Sequence, residues 1–193
     1  MRRNVIGAVL SCLSTTAFAE MARYELDTSH TAVYFTVDHI GYARTLGIFT
    51  ELEGSFTYDA QNRELGEVSV TIDAASVNTF HDGRDNHVRG ADFLSVREFP
   101  DITFTAIGGE ASGANTGTVT GELTILGQTR PVVLAVTLNK VAPYPFGHRR
   151  EVLGLSLSTE INRSDWGMNY GVANGLVGDA VAINIETEAM KME

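Results

Sequence analysis

Apolar residues recur at every second position over most of this chain, which is the period of a strand with one face turned inward. From His30 onward, Thr31, Val33, Phe35 and Val37 share one face while Ala32, Tyr34, Thr36 and Asp38 share the other. Gly41 and Gly47 bound a short turn, and Ile48 to Asp59 then reads as one strand. It sets Ile48, Thr50, Leu52, Gly54 and Phe56 against Phe49, Glu51, Glu53, Ser55 and Thr57. A polar stretch from Asp59 to Gly66 leads to a strand carrying Val68, Val70 and Ile72 on one side. The alternation resumes at Ile102, Phe104 and Ala106 and stops at Gly108-Gly109, and residues 109–117 read as a solvated loop. Val119, Gly121, Leu123 and Ile125 follow, then a tight turn at Leu126-Gly127-Gln128 and a partner strand with Val132, Leu134, Val136 and Leu138 inward. Pro143, Pro145 and Gly147 break that strand. The next, Val152 to Ile161, turns Leu153, Leu155, Leu157 and Ile161 inward, and the last carries Val181, Ile183 and Ile185.

These are eight strands, with no helical periodicity of any length. The pattern predicts an all-β fold, an antiparallel barrel or sandwich, and an eight-stranded antiparallel barrel is the better fit because strands this long expose edges unless the sheet closes on itself. The exception is Ser76 to Ala106, where charges cluster in a short run that suits about two turns of helix, near residues 82–90. Asn78 or Asp82 is the expected cap and Gly90 the stop. The segment is expected to cross one end of the barrel, with Phe93 and Leu94 pointing back into it and Pro100 ahead of the next strand.

The first nineteen residues read as a secretory signal peptide. Arg2 and Arg3 precede the apolar run Val5 to Leu13, and Ala17-Phe18-Ala19 is a small-x-small cleavage site. Export to the periplasm is expected, leaving residues 20–193 as one soluble domain. The sole cysteine, Cys12, would leave with the leader, which excludes disulfides, thiolate nucleophiles and thiolate-bound metal from the mature chain. Loss of the two arginines takes the net charge from −10 to −12. Such a chain repels nucleic acid and gains nothing electrostatically at anionic lipid surfaces, so neither nucleic acid nor stable membrane insertion is expected.

The order of short motifs resembles the YceI-like family. It runs from Tyr24-Glu25-Leu26-Asp27 and the His30 to His39 strand through Arg84-Asp85-Asn86-His87, Asp92-Phe93-Leu94 and Phe99-Pro100-x-Ile102-x-Phe104. Gly121-Glu122-Leu123-Thr124-Ile125, Ile161-Asn162-Arg163-Ser164-Asp165-Trp166-Gly167-Met168 and Val177-Gly178-Asp179 follow. The resemblance implies a lipocalin-like, extended barrel holding a polyisoprenoid or similar long-chain lipid, a quinone or its precursor among them, as a carrier or store rather than a catalyst. No cofactor and no metal are expected beyond that lipid, and a homodimer is compatible with the pattern. The residues expected to line the tunnel are Phe35, Val37, Leu52, Phe56 and Ile72 from the first half. From the second they are Phe104, Leu123, Leu134, Val136, Leu155, Leu157 and Ile183. Phe93, Trp166 and Met168 come from irregular segments, and the tunnel is expected to open past them. Arg84, His87 and Arg89 are headgroup candidates, because guanidinium groups suit phosphate geometry.

Two other readings stand beside this one. His81, Asp82, Asp85 and His87 can be drawn as a metal or acid–base cluster acting on a lipid-like substrate, although a spacing of six does not place the two histidines on one helical face. His30, His39 and His148 are too scattered for the sequence to bring in. A barrel filled by its own side chains, serving as a stress-related interaction module, is the third, because strand patterning looks the same whether the interior is filled or hollow.

Overall fold

The structure is a computed structural model, and it describes residues 21–193. The expected leader, with Cys12 and the cleavage site, lies outside the described residues. Twelve strands and one helix follow in chain order: β1 (Ala22–Leu26), β2 (Ala32–His39), β3 (Ala43–Phe49), β4 (Leu52–Asp59), β5 (Glu64–Asp73), β6 (Val77–Asn78), α1 (Asp82–Arg89), β7 (Asp101–Ala106), β8 (Glu110–Ala111), β9 (Thr116–Ile125), β10 (Gln128–Pro143), β11 (Glu151–Asn162) and β12 (Val177–Lys191).

The twelve strands form eight staves of a closed antiparallel barrel. β12 carries β1 and β2 end to end along one edge, β1 opposite residues 189–191 and β2 opposite residues 177–186. β3 and β4 make the next stave, pairing with β2 and β1 respectively. β5 and β6 pair with β4 and β3, and β7 and β8 pair in turn with β9. β9 to β12 are unbroken, and the β1–β12 pairing closes the ring. Closure leaves no long exposed edge.

The breaks explain where the sequence pattern misleads. Ile48 to Asp59 is not one strand: the chain leaves the ladder at Thr50 and Glu51, so the inward parity shifts. Phe49 therefore faces the interior in β3 and Leu52 faces it in β4, whereas strict alternation puts Phe49 outside. β3 begins at Ala43, so the turn before it is only Ile40-Gly41-Tyr42, with φ of 56° and 72° at the first two. Two successive positive φ values give a turn whose twist matches the hairpin, and Leu126-Gly127 at 51° and 67° repeats it. Tyr24 to Leu26, without a long alternation, is strand because β4 and β12 pair it on both sides. Glu110–Ala111 pairs with β9 within the expected loop.

α1 falls where the charge pattern places it, but its cap is different. His81 Nδ1 accepts from the Arg84 N–H at 3.2 Å, while the Asn78 side chain accepts from the Phe80 N–H and Asp82 lies within the first turn. Gly90 ends the helix in extended backbone, its N–H donating to the His87 carbonyl. The helix and residues 90–100 cover one end of the barrel, called here the helix end. Apolar contacts divide into two layers. Val77, Leu94, Ile102, Ile125, Ile161, Trp166 and Met168 belong to the layer that reaches the helix end, and Tyr24, Phe56, Leu153 and Ala189 to the one at the far end.

Candidate functional site

The barrel interior holds a cavity of about 360 Å³, lined from every stave. Phe35 and Val37 of β2, Leu52 and Phe56 of β4, Ile72 of β5 and Phe104 of β7 face it. So do Leu123 of β9, Leu134 and Val136 of β10, Leu155 and Leu157 of β11, and Ile183 of β12. Most of these inward side chains are only half-buried, although each points away from bulk solvent: Phe35, Val37, Leu52, Phe104, Leu123, Val136, Leu155, Leu157 and Ile183 all retain accessible surface. In a close-packed interior such groups lose that surface to neighbours. Here they border empty space, so the barrel is hollow along its length.

Two glycines help to leave that space. Gly47 lies across from Phe35 in the β2–β3 register, and Gly121 lies beneath the Phe104 ring. A side chain at either position would collide with the aromatic ring. The tips of the two rings reach over the glycines.

At the helix end the cavity stops against Phe93, Leu94, Met168 and Arg163. Phe93 packs with His87 and Tyr170, at ring-centroid distances of 5.1 and 5.3 Å. Arg163 is only 3 % exposed. Its guanidinium donates to the carbonyls of Met168, Tyr170, Val177 and Gly178 and sits 5.6 Å from the Phe93 ring centroid. Burial lowers its pKa, and Asp179, which caps Ser164, opposes that shift. Sequence reasoning did not single out Arg163 as the tie for the 167–178 loop. Arg163 is the sole Lys or Arg between residues 151 and 190, and that isolated cation beside the Gly-rich loop was the available signal.

Trp166 departs from expectation. It is 2 % exposed but does not line the cavity: its indole N–H donates to the Leu123 carbonyl at 3.2 Å, and Gln128 Nε2 donates to the Trp166 carbonyl. The side chain seals the helix end from outside the cavity wall. Of the three residues expected at the opening, Phe93 and Met168 line the cavity and Trp166 does not. Among the cavity-lining residues, the exposed ones are Arg63, Gly109, Glu110, Ala111, Asn115 and Thr116, all toward the far end.

The three headgroup candidates have structural partners. Arg84 donates to the carbonyl and hydroxyl of Thr79, and Arg89 to the carbonyls of Ala75 and Val77. His87 faces Asp92 at 2.9 Å. None of the three lines the cavity. The His81 to His87 cluster likewise disperses. His81 caps α1, and Asp85 is buried and accepts from the Thr79 N–H and hydroxyl, which holds its carboxyl below the usual range. His87 turns toward Asp92. The geometry assembles no acid–base pair from these residues.

Among the described residues, the grouping with reach for a cation is Asp27, His30 and Glu188, which the sequence left scattered. Asp27 and His30 already have partners. Asp27 Oδ1 accepts from the Ser29 N–H and hydroxyl, and Oδ2 lies 2.7 Å from His30 Nδ1. That contact raises the His30 pKa.

Comparison with known proteins gives a consistent picture. A family model described as the YceI-like domain matches residues 24–189. Protein YceI of Salmonella arizonae is 34 % identical over 196 residues, covering all of both chains. The crystal structure of a Campylobacter jejuni YCEI protein superposes with a TM-score of 0.74 at 33 % identity, covering 81 % of this chain and 90 % of that one. A domain from Saccharophagus degradans, described as polyisoprenoid binding and implicated in plant cell wall breakdown, shares the fold with a TM-score of 0.64 at 18 % identity. It covers 90 % of this chain and 100 % of that one.

Proposed function

Because the chain belongs to the YceI-like domain family, we propose that it holds a long-chain lipid, a polyisoprenoid or a quinone-like relative, inside the barrel as a carrier or store. The observation that carries this reading is the ring of inward apolar side chains left half-buried around an unfilled cavity. Its volume of about 360 Å³ lies within the range of about 300–1,000 Å³ usual for small-molecule sites. Each methylene moved from water into such a lining contributes about 0.8 kcal/mol, so a tail of ten carbons supplies roughly 8 kcal/mol before the losses of ordering it.

The dispersal of His81, Asp82, Asp85 and His87 into capping and loop-holding contacts favours a binding role over catalysis. The leader-like first nineteen residues support a periplasmic location, where a free polyprenyl chain is insoluble and needs a container.

The test is native mass spectrometry of the exported protein with mass analysis of its organic extract. A one-to-one adduct of lipid mass is expected, and it should vanish in Leu155→Trp. Overfilling a packed core costs about 1–3 kcal/mol, whereas a hollow interior accepts the indole. Unchanged stability with lost lipid supports the reading. A destabilised Leu155→Trp together with no adduct in the wild type would overturn it.

A further inference from the structure

Among the described residues, the barrel wall has a discontinuity beside the cavity between β5 and β8. β7 leaves β5 after the Val68–Ala106 pair, and β8 pairs with β9 alone. Residues 64–67 of β5 therefore have a strand partner on the β4 side only. Between β5 and β8 lies a slot, bridged along the chain by Ile107-Gly108-Gly109. Leu65 lies beneath it, so close that a Cβ on Gly109 would sit 3.2 Å from Leu65 Cδ2.

One side chain spans the slot. Arg63 Nη2 donates to the Gly113 carbonyl at 2.7 Å, joining the β4–β5 turn to the β8–β9 hairpin across fifty residues of sequence. The turn holds Arg63 in the left-handed region, φ 60°, a conformation unusual for a side chain with a Cβ. Buried Asp59 enforces it by accepting from the N–H groups of Gln61 and Asn62 and from the Asn62 side chain. The exposed residues of the cavity lining all flank this slot, while those at the helix end are buried or half-buried.

We infer that the slot between β5 and β8 is the portal through which ligand enters, tail first, and that a neutral, oxygen-bearing headgroup stays there against Arg63 and Asn115. The inference rests on reading the cavity as a lipid site. Arg63 exchanges its bond to the Gly113 carbonyl for one to the headgroup oxygen, and the Asn115 amide adds a donor. Glu110 at the same mouth, on a chain of net charge −10, disfavours phosphate or carboxylate and accepts from a hydroxyl.

The portal is tested without any lipid by placing a thiol in the cavity, Leu155→Cys in a full chain carrying Cys12→Ser, and timing its reaction with a small methanethiosulfonate. Arg63→Ala should speed labelling about fivefold, the shift expected when one hydrogen bond closing the latch is removed. Arg63→Lys should fall between it and the wild type. Ala111→Trp, which plugs the mouth, should slow labelling, and Tyr170→Ala at the opposite end should leave it unchanged. Labelling that ignores residues 63 and 111 but quickens in Tyr170→Ala would overturn the portal.

The headgroup is read with all-trans-retinol and retinoic acid, two isoprenoid probes differing in charge. Retinol should bind more tightly, and Arg63→Ala should narrow the gap. Preference for the acid would overturn the neutral-headgroup assignment. If neither probe binds while labelling responds as expected, the portal stands and the lipid reading fails.

Discussion

Arg163 is the residue whose removal the structure prices most directly. Replacing it with alanine deletes four charge-assisted hydrogen bonds to the carbonyls of Met168, Tyr170, Val177 and Gly178. A bond from a charged donor is worth about 1.5–3 kcal/mol net, and that figure applies in full to the Met168 carbonyl, whose bond is buried. The other three bonds are only part-buried, so water replaces much of their value and each is discounted to about 0.5–1 kcal/mol. The expected loss is about 3–6 kcal/mol. For a chain of this size 1 kcal/mol moves the melting midpoint by roughly 2–4 °C, so Arg163→Ala should melt about 6–24 °C lower. Arg163→Lys keeps the charge but not the planar fork of donors, so it should lose at least half as much. Circular-dichroism melts at neutral pH decide the matter. An Arg163→Ala variant melting within about 2 °C of the wild type would refute the view that this guanidinium ties the 167–178 loop to the barrel.

Trp166→Ala should cost about 3–5 kcal/mol as a large-to-small change at a buried site, measured by urea unfolding, whereas Phe93→Ala, at a half-buried residue bordering empty space, should cost less than half of that. Asp85→Asn should be destabilising at pH 7. The Thr79 hydroxyl and N–H hold the folded Asp85 carboxyl below its unfolded value of about 3.9. Its contribution is therefore complete above that value and lost as pH falls through the lower folded value, so the gap between variant and wild type should close in melts below about pH 4. Gly121→Ala should destabilise more than Gly47→Ala. A Cβ at 121 meets the backbone carbonyl of Thr105 as well as the Phe104 ring, while the three atoms nearest one at 47 all belong to the Phe35 ring, which has vacant cavity to turn into. Equal losses in the two variants would contradict the hollow interior.

The lower half of the chain's acid sensitivity has the same origin as its turn geometry. Asp27, Asp59 and Asp85 each accept hydrogen bonds from nearby N–H or hydroxyl groups, and each carboxyl is held below its ordinary range. Asp27 follows β1, Asp59 ends β4, and Asp85, in the first turn of α1, bonds back to Thr79 just past β6. Short side chains with two acceptor oxygens satisfy the backbone donors that such junctions leave free.

Periodicity pointed to eight antiparallel staves, and the liability of long exposed edges favoured closing them into a barrel over a sandwich. Alternation at β5, β7 and β9 to β12 set which residues face inward, because a period of two admits one register once one face is apolar. Cavity-lining positions such as Ile72, Leu134, Leu155 and Ile183 were therefore legible from the sequence, as were the helix near residues 82–90 and the turn at Leu126-Gly127. Three things were decided only by tertiary structure. Phe49 turned inward because the β3–β4 stave breaks at Thr50, a point set by pairing with β2 and β1 rather than by any local signal. Trp166 left the cavity because the Leu123 carbonyl and Gln128 side chain, distant in sequence, gave its polar atoms partners. Whether the inward face is filled or vacant depends on the barrel's diameter against the summed volume of side chains from eight staves. That is a property of closure, not of any one strand.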